Sequence, residues 1–261
     1  IEAIGFDMDY TLVIYTEAVE ILVAEMALNL LVQDFDYPEE ILKIDYDPSF
    51  PVRGLVLDKR LGNIFKMDGH QHVQRVHHGL KRYSREKRHR TYRNTVIRPS
   101  ISRYQLVDTL FELPELYLYA RLVEWIDRTV PRKERKARYT QLYEDLRQCI
   151  DRVHRDGSLK SQIVADPARF IERDPAIART LAQFITAGKK LFLLTNSEWE
   201  YTVEVMSFLL DGELPGFSSW RDYFDVVISF AMKPRFFQER RPFVQVDPPT
   251  KESVTELVRG R

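Results

Sequence analysis

Residues 4–12 read IGFDMDYTL, and this stretch decides the fold. An apolar run from Ile1 to Phe6 ends in two carboxylates, Asp7 and Asp9, followed by Thr11. The run is continuous rather than alternating, as expected of a central strand in a parallel sheet. If the strand persists, Asp7 and Asp9 point the same way, because side chains alternate along a strand. Like charges that close are unfavourable unless a cation offsets them or one is protonated. A competing interpretation makes Asp7 and Asp9 helix caps and Lys233 a surface lysine beside Pro234. A second apolar run, KKLFLLTNS at 189–197, ends in polar residues in the same manner and favours the chemical interpretation.

The rest of the chain supplies the sheet that such strands require. Residues 17–34 repeat apolar side chains at helical spacing through Ile21, Leu22, Met26, Leu30 and Leu31. RGLVLD (53–58) and NIFKMD (63–68) read as a hairpin around Lys59–Gly62. From about 103 to 153 the pattern is mostly helical. One stripe runs through Leu116, Tyr119, Ala120, Leu122, Val123 and Ile126. A second runs through Tyr139, Leu142, Tyr143, Leu146, Ile150 and Val153. A helix over 176–187 stops at Gly188, a second covers 198–210, and YFDVVISF (223–230) reads as a third strand. Strand alternating with helix indicates an α/β class with a parallel sheet, whose ligands collect at the carboxyl ends of the strands. The expected organisation is a first part of the core over 1–100, a helical insert over 101–170 and a second part of the core over 171–261.

Bulk properties exclude several classes. The chain has 261 residues, 44% hydrophobic and 30% charged, which suits a globular protein rather than a disordered one. Lys plus Arg and Asp plus Glu each number 39, so no global charge draws it to nucleic acid or an anionic membrane. Cys149 is the one cysteine, which excludes an intrachain disulfide framework. No apolar run is long enough to predict a transmembrane helix, and no signal peptide is visible. The chain starts inside a strand without Met, so flanking residues are expected outside it. The basic runs KRYSREKRHRTYR (81–93) and PRKERKAR (131–138) read first as solvated surface. Nucleic-acid binding through 81–93 is the weaker alternative.

Paired carboxylates at a strand end suit Mg²⁺, which takes oxygen ligands and leaves room for phosphate oxygens. An anion formed in phosphoryl transfer needs donors and cations around it. Thr195 and Asn196 offer hydrogen bonds, and Lys233 offers fixed positive charge. FDMDYTL, LLTNS and Lys233-Pro234 together resemble motifs one to three of the haloacid dehalogenase superfamily. FDMDYTLVIY, RGLVLD, DTLFELPE, VHRDGSLK, LLTNSEWEYT and AMKPRFF resemble more narrowly the cytosolic purine 5'-nucleotidases of the IMP/GMP-preferring type, over most of the chain.

The resemblance implies a haloacid-dehalogenase-like Rossmannoid sheet with a largely helical cap. It implies Mg²⁺-dependent hydrolysis of purine nucleoside 5'-monophosphates in the cytoplasm, with phosphotransfer as a further activity. Asp7 would be the nucleophile and Asp9 the acid and base, and the metal would be held by the Asp7 carboxylate, the Asp9 backbone carbonyl and an acidic residue of motif four. Thr195, Asn196 and Lys233 would bind phosphate. Asp108, Phe111, Arg147, Asp151, His154, Lys160 and Ser197 would surround the substrate. Arg147, Asp151 and His154 are spaced to share one helical face. Asp108 stands where eukaryotic members carry Asn; a carboxylate lacks the amide donor, which leaves base preference open. A homo-oligomer is implied; from the composition no membrane partner is expected, and nucleic acid is the disfavoured partner. A related phosphatase and an inactive nucleotide-binding scaffold are the alternatives.

One expected part is missing. The family's fourth motif, an acidic pair after a strand in a YxGDxxxxD-like context, does not follow Lys233. Asp247 precedes Pro248-Pro249, a poor setting for it. The fourth-motif strand is therefore expected to be absent from these residues, and truncation is favoured over degeneration.

Overall fold

The computed structural model describes residues 1–93, 95, 97–98, 101–246 and 254–256. The chain forms two compact units, Ile1–Ile14 with Arg173–Arg261, and Tyr15–Glu172. Asp247 lies outside the described residues.

The first unit is built on a parallel sheet. Strand Ala3–Phe6 pairs with Lys190–Leu194, which pairs on its other edge with Val226–Ile228. The middle strand buries Leu191 and Leu193 completely, each contributing about 1.5–3 kcal/mol. Gly5 faces Phe192 in register, and a Cβ at Gly5 would lie 2.2 Å from the ring's Cζ. Glycine there lets the phenyl ring lie across the first strand. Helix Pro175–Thr186 starts with Asp174, whose carboxylate accepts the Ala176 N–H at 2.8 Å, and ends before Gly188 at φ +74°. Helix Trp199–Leu210 buries Val205, Met206, Leu209 and Leu210. The third strand is shorter than its apolar run. Its first residue, Tyr223, instead ends a helical turn, Trp220–Tyr223, with Ser219 and Asp222 making a reciprocal capping box.

The first strand differs from its expected burial. Among the described residues its one strand partner is Lys190–Leu194, and its side chains alternate between exposed and half-buried. Residues Val244–Val246 and Val254–Glu256 form a separate antiparallel ladder.

The second unit combines helices with an antiparallel sheet. Helix Glu17–Phe35 packs on Arg135–Arg155, which also packs on Leu113–Thr129. In Glu17–Phe35 the buried face runs through Val19, Val23, Ala27 and Leu31, while Ile21 is exposed, a rotation from the expected stripe. The stripes predicted for the other two helices are buried throughout. The sheet runs in the order Lys81–Arg82, Val73–His78, Asn63–Met67, Leu55–Asp58, Tyr104–Val107. The predicted hairpin is its Leu55–Asp58 and Asn63–Met67 pair. Tyr104–Val107, expected to be helical, is a strand because it pairs along Leu55–Asp58. Asp58 at that strand's end is fully buried; its carboxylate accepts Arg103 Nε at 2.8 Å, Arg103 Nη2 at 2.6 Å and the Tyr92 hydroxyl at 2.8 Å. In the basic run, Ser84 caps helix Arg85–Tyr92, whose cationic side chains are mostly exposed. Among the described residues no helix is long and apolar enough to cross a membrane.

Candidate active site

The first unit brings Asp7, Asp9, Thr195, Asn196, Ser197 and Lys233 to the carboxyl edge of its sheet. The strand stops at Phe6, so Asp7 and Asp9 do not share a strand face as expected. The buried Met8 causes the stop: its carbonyl accepts the N–H groups of Thr11 at 3.2 Å, Leu12 at 3.0 Å and Val13 at 3.0 Å. Tyr10 closes this tight loop at φ +54°. Neither aspartate caps a helix, since the next helix begins at Glu17 behind Thr16. Asp7 accepts the Met8 N–H on Oδ1 at 2.8 Å, and its Oδ2 lies 2.5 Å from Lys233 Nζ. Asp9 Oδ2 accepts the Ser197 hydroxyl at 2.9 Å. Each carboxylate thus faces its own donors, which offsets their mutual repulsion.

The TNS turn is held as firmly. Thr195 is fully buried; its N–H donates to Ile228 O at 2.9 Å, and its Oγ1 accepts the Ser197 N–H at 3.1 Å. The carbonyls of Thr195 and Ser197 accept the N–H groups of Ala231 and Phe230 at 2.9 and 2.8 Å. Asn196 spends both ends of its amide on Lys233, accepting that residue's N–H at 2.6 Å and donating to its carbonyl at 3.2 Å. Lys233 Nζ also donates to Leu194 O at 2.9 Å. Lys233 is therefore not a plain surface lysine. Its side chain is 20% exposed and that of Asp7 40%, so their ion pair adds about 1 kcal/mol or less to stability, and its importance is positional. Phe230 and Met232 take φ of +49° and +58° just before Lys233, conformations that cost roughly 1–3 kcal/mol each. Backbone strain persists where surrounding contacts over-determine it, as the paired hydrogen bonds to Thr195, Ser197 and Asn196 do here.

Mg²⁺ takes oxygen donors beside water and phosphate oxygens, so the Asp7 carboxylate and the Asp9 backbone carbonyl suit that ion in kind. Among the described residues no group of three or more His, Cys, Asp or Glu side chains is gathered to hold a metal. A shallow cavity lined by Phe6, Thr11, Leu12 and the helix Pro175–Thr186 contains none of these site residues.

In the second unit, Arg147 is held by three carboxylates, one of them the predicted Asp151. Its Nη1 donates to Glu115 Oε2 at 2.8 Å and Glu112 Oε1 at 3.1 Å, and its Nε lies 3.4 Å from Asp151 Oδ1. Glu112 Oε2 accepts the Asp108 N–H at 3.2 Å and belongs to a capping box with Thr109. The partly exposed Phe111 ring meets His154 edge-on, with centroids 5.7 Å apart. His154 Nδ1 donates to Ile150 O at 2.8 Å. Burial lowers the His154 pKa below the usual imidazole value, which favours the neutral ring, and the Lys160 charge acts in the same direction. Burial pushes the Glu115 carboxyl up to about 7, with Arg147 pulling against it and Glu112 adding to it. Glu112 and Glu115 were not singled out from the sequence. The Thr109-x-x-Glu112 pattern was the available signal for Glu112, whereas Glu115 resembles an ordinary helix-surface charge.

A parallel sheet with Asp7 and Asp9 after its first strand, TNS after its second and Lys233 after its third, together with a largely helical insert, defines a haloacid-dehalogenase-like Rossmannoid protein. The sequence matches the 5' nucleotidase family over residues 1–260, and the chain belongs to that family. It is 32% identical over 254 residues to a 5'-nucleotidase domain-containing protein of Dictyostelium discoideum. That similarity covers 95% of this chain and 42% of the relative, so the chain spans about two fifths of the relative's length.

Proposed function

We propose that the full-length protein hydrolyses purine nucleoside 5'-monophosphates, IMP and GMP in preference, through an aspartyl-phosphate intermediate. The observation that carries this reading is the joining of three distant segments. Lys233 Nζ lies 2.5 Å from Asp7 Oδ2, and Ser197 hydrogen-bonds Asp9 at 2.9 Å. An Asp7 oxygen attacks phosphorus while the phosphorus–O5' bond breaks, and Asp9 delivers its proton to the leaving O5'. Asp9, left ionised, then takes a proton from the water that attacks the same phosphorus, and the phosphorus–Asp7 bond breaks to release phosphate. Thr195 and Lys233 steady the phosphoryl oxygens, and Asn196 holds Lys233 in place. The Asp7 carboxylate and the Asp9 backbone carbonyl would hold Mg²⁺, which would supply positive charge against the phosphoryl oxygens. Phe111 and His154 offer ring surfaces to the base, and Arg147, Asp151, Lys160 and Asp108 offer polar contacts. The setting proposed is cytoplasmic, with the protein as a homo-oligomer.

A phosphate-release panel tests this reading, using IMP, GMP, AMP and pyrimidine monophosphates with and without Mg²⁺. Release from IMP and GMP that needs Mg²⁺ and disappears in Asp7→Asn is expected. Undiminished turnover by Asp7→Asn would exclude the covalent route, and release from none of the nucleotides would exclude the function.

A further inference from the structure

We propose that Glu115 is the positioning residue for Arg147, and that nucleotide binding at Arg147 draws a proton onto Glu115. The inference rests on the nucleotidase reading above and deepens it. Arg147 Nη1 is shared between Glu115 and Glu112, and Nε faces Asp151. Among the described residues Nη2 has no hydrogen-bond partner. The carboxylates therefore fix the plane of the guanidinium and leave one nitrogen to meet a ligand acceptor. The Glu115 side chain is 2% exposed, whereas that of Arg147 is 35% exposed. Ligand atoms can reach the arginine from solvent while Glu115 holds it from within.

The charges make this hold sensitive to protons. Arg147 and Tyr143 face Glu115 from the helix Arg135–Arg155. Glu112 faces it from the turn before its own helix, and Asp151 acts through Arg147. Gln105, on the strand Tyr104–Val107, reaches Glu112 and is neutral. Three carboxylates around one cation leave an excess of negative charge where an anionic nucleotide or a purine acceptor must approach. Protonating Glu115 lessens that excess, and the buried carboxyl already stands near 7. A bound acceptor raises it further, so binding takes up protons and weakens as pH rises through neutrality.

The test uses the full-length protein with IMP as probe, comparing wild type with Glu115→Gln. Calorimetry at pH 7 in buffers of different ionisation heat reads the proton uptake. Initial rates between pH 6 and 8 separate KM from kcat. The titration of the IMP phosphate is common to both proteins and cancels in the comparison. For a ligand-induced shift of one unit, wild-type KM should rise about fivefold more than that of Glu115→Gln across this range, with kcat profiles parallel. Proton uptake should be smaller in the variant. Equal KM profiles and equal uptake would overturn the inference while leaving the nucleotidase reading intact. Wild type that neither binds nor hydrolyses IMP would overturn both. If Glu115→Gln does not fold, Glu115→Asp withdraws the carboxylate from Nη1. A raised KM at unchanged kcat then supports positioning, and an unchanged KM refutes it.

Discussion

Glu115 also makes a prediction about stability that needs no nucleotide. The substitution is Glu115→Gln, which keeps the shape and removes the titration. In the unfolded chain the carboxyl returns to its ordinary value of 4.5, while burial holds it at about 7 in the folded protein. The folded state therefore binds this proton more tightly, and the stability it confers is present at low pH and lost as pH rises through 7. The full difference is roughly 3 kcal/mol, of which about 1.3 kcal/mol falls between pH 6 and 8. Hydrogen exchange of the helix Leu113–Thr129, corrected for the intrinsic pH dependence of exchange, reads the local opening free energy. Wild type should lose about 1.3 kcal/mol more than Glu115→Gln over that range, about tenfold in protection. The variant loses a charged hydrogen bond to Arg147, so the difference in slope is the informative quantity rather than the offset. Identical slopes would refute the assignment of a near-neutral carboxyl to Glu115.

The remaining predictions concern both units. Arg103→Met should destabilise the second unit by about 3–5 kcal/mol, because it leaves the fully buried Asp58 carboxylate without its cation; a change under 1 kcal/mol in chemical denaturation would contradict that account. Asn196→Ala removes both hydrogen bonds to the Lys233 backbone, at about 1–2 kcal/mol. Under the proposed function, kcat of the full-length protein for IMP should fall at least tenfold, and normal kcat would show that Lys233 is held by other means. Gly5→Ala should destabilise the sheet by about 1–3 kcal/mol through contact with Phe192, and Phe192→Leu should relieve much of that loss; purely additive effects in the double mutant would sink this explanation.

Legibility in the sequence followed the range of the interactions concerned. The strands before Asp7 and Thr195 were visible because each is an apolar run closed by polar residues. The hairpin was visible because its strands are joined through Lys59–Gly62. Tyr104–Val107 was not, because a four-residue strand beside a long helical period has little local signature. What makes it a strand is the pairing with Leu55–Asp58, far away in sequence. The rotated face of Glu17–Phe35 has a related cause. Apolar residues surround most of that helix, so periodicity alone does not choose which of them face the neighbouring helices.

The site divides along the same line. Residue identity and strand order were sufficient to single out Asp7, Asp9, Thr195 and Lys233, because strand ends in a parallel sheet converge on one edge. The way the aspartates tolerate each other required coordinates. Met8 turns the chain, so a shared strand face is replaced by a loop in which Asp7 meets Lys233 and Asp9 meets Ser197. Asn196 shows what residue type alone leaves out. An amide after a strand suggests a phosphate donor, and the coordinates add that its oxygen and one of its two N–H groups hold the Lys233 backbone. The same logic applies to Arg147, whose partner Asp151 was visible at helical spacing while its buried partners Glu112 and Glu115 come from another element. In both places the residue that would meet substrate was recognisable from its chemistry. The contacts that aim it were not, because they join segments that sequence spacing does not relate.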